Sequence, residues 1–280
     1  LREGSWFGER WKTFMVAIGV LMTLSMNLVV LGKPLKGKLF TGNQYNKWNM
    51  KIFRETKIIH TPTLPTIYLI GDSHADHYGA VMTNLAGKKE FNFIMHPQAD
   101  GLKTLHKDQK EHILAPLREY KHKFKKGDVI IFSGHSSKYQ DSENWTKHYE
   151  TFIEQTQNIG MQFILISPTP NFSGVSGGHT CQEEWYRPSW ALSPPSFCFG
   201  QVSKSEWFAS NTVPISKIEK FLLANPKVSY IDTFSILCPD PYCKNYDQYS
   251  FMYKDSHHLN SYGAMKVSNT IESFIDVSIR

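Results

Sequence analysis

The sequence predicts an α/β fold, a five-stranded parallel sheet covered on both faces and preceded by one transmembrane helix. Three observations carry this. Residues 66–70, 91–95, 129–132, 163–167 and 228–231 are short runs rich in β-branched and aromatic side chains, near-continuously apolar as in strands buried on both faces. Stretches of helical character at 76–85, 105–123, 145–158, 215–223 and 262–275 separate these runs or close the series, and such alternation predicts parallel pairing. Residues 13–32, TFMVAIGVLMTLSMNLVVLG, carry no charge, and as a helix they match a bilayer core of about 30 Å.

The elements follow in order. Trp6 and Trp11, beside Arg2, Arg10 and Lys12, read as interfacial anchors on the cytoplasmic side of the span. The chain continues as KPLKGKLF without a small-x-small cleavage site, which favours a retained span over a cleaved signal peptide. The first residue, Leu1, is read as an internal position of a longer polypeptide. A polar, Pro-punctuated linker is expected over 33–65, with a short helix near 45–55. The catalytic domain is then placed at 66–280, interrupted by a loop at 168–213 that is too long for an ordinary connection. That loop holds Phe172, Trp185, Tyr186, Trp190, Phe197, Phe199 and Trp207, which suit either stacking on sugar rings or packing on the core.

Composition bounds the rest. With 280 residues, 41% of them hydrophobic, the chain supports one substantial core plus a tail. The net charge of +6 is mild, and Lys121, Lys123, Lys125 and Lys126 suit a solvated helix face about as well as a polyanion-binding patch. No zinc-finger or recognition-helix pattern is present, so no nucleic-acid partner is expected. Cys181, Cys198, Cys238 and Cys243 lie in loop-like sequence, as expected of bridges 181–198 and 238–243 in an oxidising compartment. Neither pair has C-x-x-C spacing, and His179 is the one histidine nearby, so zinc is not expected there and no metal ligands are assigned.

Two segments carry chemistry. In IYLIGDSHADHYGAV a strand runs into Gly71-Asp72-Ser73-His74 and then a helix, placing Ser73 where the helix's positive end and nearby N–H groups favour a developing oxyanion. In MYKDSHHLNSYGAMKV, Asp255 and His258 stand three apart before a helix capped from Asn260 or Ser261. A D-x-x-H turn lets the carboxylate orient one ring nitrogen while the other faces the serine. His257 is the alternative base; the spacing and the following Leu259 favour His258.

GDSH early and DSHHL late resemble blocks I and V of the SGNH/GDSL hydrolases, over residues 66–275. The resemblance implies a flavodoxin-like α/β/α sandwich with Ser73, Asp255 and His258 as triad. It also implies oxyanion donors: the Ser73 N–H, a glycine of the second block, for which Gly101 is the candidate, and an asparagine of the third. FSGHSSKY lacks that asparagine, leaving Gly134, His135 or Ser136 to donate. The order of helix, linker and domain is similar to the periplasmic SGNH domain fused behind the membrane acyltransferase-3 domain of bacterial polysaccharide O-acetyltransferases. This implies an inner-membrane protein with its catalytic domain in the periplasm and a cell-envelope glycan (O-antigen, exopolysaccharide or peptidoglycan) as acceptor. The ultimate donor is then acetyl-CoA, delivered through the upstream membrane domain, with no cofactor bound by this domain. A membrane-anchored carbohydrate acetylesterase with the same triad is the alternative. A third possibility, an inactive glycan-binding module, is disfavoured by the complete triad.

Overall fold

In the computed structural model, which describes residues 4–35, 57–96, 109–136, 144–175, 198–248 and 251–278, all five apolar runs are strands. They are β2 (Thr66–Gly71), β3 (Asn92–Met95), β4 (Val129–Ser133), β5 (Gln162–Ile166) and β7 (Val228–Ile231). These pair in parallel, in the order β3-β2-β4-β5-β7. A sixth strand, β1 (Lys57–Ile58), adds antiparallel to β3 with Lys57 opposite Ile94. The sheet is therefore mixed and six-stranded, a correction to the five parallel strands expected. Two residues at a sheet edge give neither an apolar run nor an alternation, so β1 is indistinguishable from connector in the sequence.

The pleat divides the strand side chains between two cores, as period-two alternation requires. Ile67, Leu69, Val129, Ile131, Ile164, Ile166 and Ile231 face Tyr78, Val81, Met82 and Leu85 of the helix Asp76–Ala86, with Ile271 and Ile275 of the helix Ser268–Ser278. Tyr68, Ile70, Ile130, Phe132, Phe163 and Leu165 face Leu117, Tyr149, Phe152, Ile218 and Phe221 on the opposite side. Helices on both faces give the three layers. Each fully buried aliphatic contributes about 1.5–3 kcal/mol, so the sheet's continuous apolar strands are its main source of stability.

At the amino-terminal edge of the sheet, the fully buried Asp128 carboxylate accepts from Thr66 N–H at 2.7 Å and Lys125 N–H at 3.0 Å. Burial raises its pKa, and the two N–H donors work against that rise. The contact joins the starts of β2 and β4, the two strands whose far ends carry the site.

Helices depart from expectation mainly at their ends. The expected 262–275 helix is two, Ser261–Lys266 and Ser268–Ser278, broken at Val267. In the long expected loop, residues 176–197 lie outside the described residues, as do Trp185, Tyr186, Trp190 and Phe197. The described remainder contains β6 (Gln201–Ser203), paired with β8 (Tyr242–Lys244), and a helix Lys204–Ser210 started by a Ser203–Glu206 capping box. Phe172 and Trp207 are buried, Trp207 lying 4.2 Å from Phe234, so these two aromatics belong to the core and offer no stacking surface. Phe199 remains exposed.

Cys238 and Cys243 are disulfide-bonded, as expected. Cys198 is also disulfide-bonded, while its expected partner Cys181 lies outside the described residues, as does the short helix expected near 45–55. The segment Gly4–Leu35 is one helix in a unit separate from the sheet domain. Trp11, Val16, Val20, Leu21 and Met26 are exposed on it, and Thr23 and Asn27 hydrogen-bond to their own helix backbone. Among the described residues, no helix is long and apolar enough to cross a membrane. Of the expected span, residues 28–32 lie outside those whose side chains are described. The transmembrane helix expected at 13–32 is therefore not found among the described residues.

Candidate active site

The site starts where β2 ends. Gly71 has φ +155°, and a Cβ there would stand 1.7 Å from the Ser133 carbonyl oxygen, so only glycine lets β2 run this close to β4. The chain then turns at once, with Ala75 N–H donating to Asp72 O at 2.9 Å, and enters the helix Asp76–Ala86. Ser73 sits in that turn, partly exposed. The Asp72 carboxylate spans two segments: Oδ1 accepts from His74 N–H at 2.8 Å and Oδ2 from His135 N–H at 2.9 Å. Asp72 thereby ties the turn after β2 to the turn after β4.

The second half is a loop closed on itself. A bridge between Tyr253 and Leu259, with Lys254 N–H donating to His258 O at 2.9 Å, holds residues 254–258 as a tight excursion. Phe172 N–H anchors its tip through Ser256 O at 2.7 Å. Behind it, Asn260 caps the helix Ser261–Lys266 by accepting from Gly263 N–H.

Within the loop, Asp255 Oδ1 accepts from His257 N–H at 3.0 Å and His258 N–H at 2.7 Å, and Oδ2 lies 2.6 Å from His258 Nδ1. An ionised carboxylate only accepts, so Nδ1 carries the proton and Nε2 presents a lone pair. Nε2 stands 2.7 Å from Ser73 Oγ, whose hydroxyl donates to it across 185 residues of sequence. Burial opposes ionisation of Asp255, yet the His258 ring and the two backbone N–H groups outweigh it and hold the carboxyl well below its usual range. The chain thus brings Ser73, His258 and Asp255 into one relay. In such a relay the serine can attack a carbonyl as His258 takes its proton, and Asp255 stabilises the imidazolium that results. His257 does not share this contact: its Nδ1 lies 3.0 Å from Ser256 Oγ.

The other expected donors fare unevenly. His135 N–H is committed to Asp72, which removes it as a backbone oxyanion donor. Gly134 and Ser136 flank it in the same turn, both buried. Gly101 lies outside the described residues.

The sequence reading missed a histidine cluster. His74 and His77 are buried, and their rings lie 5.3 Å and 5.4 Å from that of His258. Burial, reinforced by the neighbouring histidines, lowers both pKa values well below the ordinary range, and burial also lowers that of His257. The H-A-D-H spacing at 74–77 spans the start of the helix, and this one-turn repeat was the available signal.

The fold is similar to a GDSL-like lipase from Bacteroides thetaiotaomicron (10% identity, 84% of this chain and 98% of that one, TM-score 0.43). It is also similar to a Bacillus subtilis protein (15% identity, 76% and 56%, TM-score 0.42). No curated protein matches the chain. The family model described as "SGNH domain (fused to AT3 domains)" matches residues 44–273, which takes in Ser73, Asp255 and His258, and the chain belongs to that family.

Proposed function

We propose that this chain transfers an acyl group, through an ester on Ser73, to a hydroxyl of a bacterial cell-envelope polysaccharide. The observation that carries the reading is the Ser73 Oγ–His258 Nε2 contact of 2.7 Å, backed by Asp255. Ser73 Oγ attacks the carbonyl of an acyl donor and its proton passes to His258 Nε2; the donor's leaving group departs with that proton. A sugar hydroxyl then attacks the acyl-serine, gives its proton to His258, and Ser73 Oγ leaves and regains it. The Ser73 N–H, with Gly134 or Ser136, is assigned to the oxyanion.

Transfer is favoured over hydrolysis because the family's domain is one fused to AT3 domains, the membrane partner that this reading requires. Such a domain carries the acyl group from cytoplasmic acetyl-CoA to the periplasmic side, where the Cys238–Cys243 bridge is at home. The exposed apolar side chains of the helix Gly4–Leu35 suit contact with that membrane domain.

The test is glycan acetylation, read by mass spectrometry in cells making the chain alone or joined to an AT3 domain. Acetylation that needs both parts and vanishes with Ser73→Ala supports the proposal. Brisk deacetylation of native glycan by the chain alone would establish the esterase instead.

A further inference from the structure

Beside the triad, three imidazoles meet that the acyl chemistry leaves unused. His74 follows Ser73, His135 lies in the turn after β4, and His257 precedes the base. One ring nitrogen from each lies within 4.8 Å of those of the other two. Their centroids are 4.7 Å (His74–His135), 5.6 Å (His74–His257) and 4.9 Å (His135–His257) apart. A ring nitrogen on Zn²⁺ at about 2.0–2.1 Å puts its centroid about 3.2 Å from the ion, so rings sharing a tetrahedral ion stand about 5 Å apart. The three rings already have that spacing, and a turn of the His257 ring, which lies nearly parallel to His74 at 12°, brings its lone pair onto the shared ion. We propose that His74, His135 and His257 form a binding site for a divalent metal ion of the Zn²⁺ class.

The surroundings fit the ligand role. His74 is 2% exposed, and its Nε2 is buried without a hydrogen-bond partner. Its Nδ1 lies 3.4 Å from Thr169 Oγ1, whose hydroxyl donates in turn to the His257 carbonyl at 3.4 Å. A proton on Nδ1 directed at Thr169 frees the Nε2 lone pair, the outer-shell arrangement that fixes the tautomer of a metal-binding histidine. His257 repeats the pattern, with Nδ1 against Ser256 Oγ at 3.0 Å. His135 and His257 are partly exposed and give an ion its way in. Three imidazoles suit Zn²⁺, Cu²⁺ or Ni²⁺ over the oxygen-seeking Mg²⁺ and Ca²⁺, and leave a tetrahedral ion one open position.

A rival trio, His74, His77 and His258, is equally close. It would cost His258 its contact with either Asp255 or Ser73, both shorter than 2.8 Å. The proposed trio leaves the triad intact.

The test uses the full chain without an affinity tag, stripped with chelator and titrated with Zn²⁺ by calorimetry and with Co²⁺ by visible absorption. The expected result is one ion per chain, with tetrahedral Co²⁺ bands. His135→Ala and His257→Ala should each weaken binding at least about tenfold, and His77→Phe should leave it unchanged. His135→Gln and His257→Gln provide a second pair if either alanine variant melts early. Absence of saturable binding, or binding indifferent to His135 and His257, would overturn the site. Loss of binding in His77→Phe would move the ion to the rival trio and overturn it equally. Binding is read without reference to acyl transfer, so failure here and failure of the proposed reaction are distinguishable.

Discussion

Asp72 and His135 stand 63 residues apart, yet the His135 backbone N–H donates to Asp72 Oδ2 at 2.9 Å. The other carboxylate oxygen holds His74 N–H, so one side chain fixes both the turn carrying Ser73 and its neighbour after β4. Asp72→Ala should therefore lower kcat on a small acetyl ester about 10–100-fold, with little change in KM, because misplacing a nucleophile by about 1 Å costs this much. Asp72→Asn keeps one acceptor and should recover part of the loss. Unchanged kcat in Asp72→Ala would show that the turn is held by other contacts.

The two adjacent histidines should differ sharply. His258→Ala removes the group 2.7 Å from Ser73 Oγ and should cost about 10²–10⁴-fold in kcat, the usual contribution of a general base. His257→Ala, assayed with chelator present, should stay within a few-fold of the parent. Steady-state kinetics of the two variants decides the matter, and reversed severities would make His257 the base.

Acid should weaken the fold through the buried histidines. His74 and His77 have pKa values lowered by burial, so below about pH 6.5 the unfolded chain takes up protons that the folded chain refuses. Stability should fall as pH drops through that region, by at most about 1.4 kcal/mol per pH unit for each histidine, and be level in this respect above pH 7. His77→Phe removes one such group, and also a ring with two buried unpartnered nitrogens, so its melting temperature should depend less on pH. Melting curves between pH 5 and 7.5 test this; parallel curves for parent and variant would contradict it.

Gly71→Ala should be among the most damaging single changes to the fold. The new methyl would meet the Ser133 carbonyl at 1.7 Å, which forces β2 and β4 apart at the end that carries the site. A loss of about 2–4 kcal/mol is expected, together with most of the activity. Denaturant unfolding measures the first; near-parental stability would mean that the strand ends have slack.

How much of this was readable in the sequence depended on whether a feature was local. The five central strands announce themselves because burial on both faces makes them apolar throughout, as in Ile67–Ile70 and Val129–Phe132. The D-x-x-H turn was legible because Asp255 and His258 meet within one loop, and Ser73 because strand, GDSH and helix are contiguous. What escaped was set by pairing at a distance. Strand β1 is two residues long and exists only by leaning on β3. The His135 backbone N–H reads as an oxyanion candidate until Asp72, on another strand's turn, takes it. Trp207 suits sugar stacking or core packing equally in the sequence, and only its contact with Phe234 decides for the core. His74, His135 and His257 come from three segments, and no spacing in the sequence unites them.

The most direct test of the central claim is mass spectrometry of the chain after brief exposure to an activated acetyl ester or a serine-directed phosphonate. One adduct, mapped to the peptide containing Ser73 and absent from a folded Ser73→Ala variant, is the predicted result. An adduct that persists in Ser73→Ala, or that maps to another residue, would contradict the assignment of Ser73 as the residue that carries the acyl group.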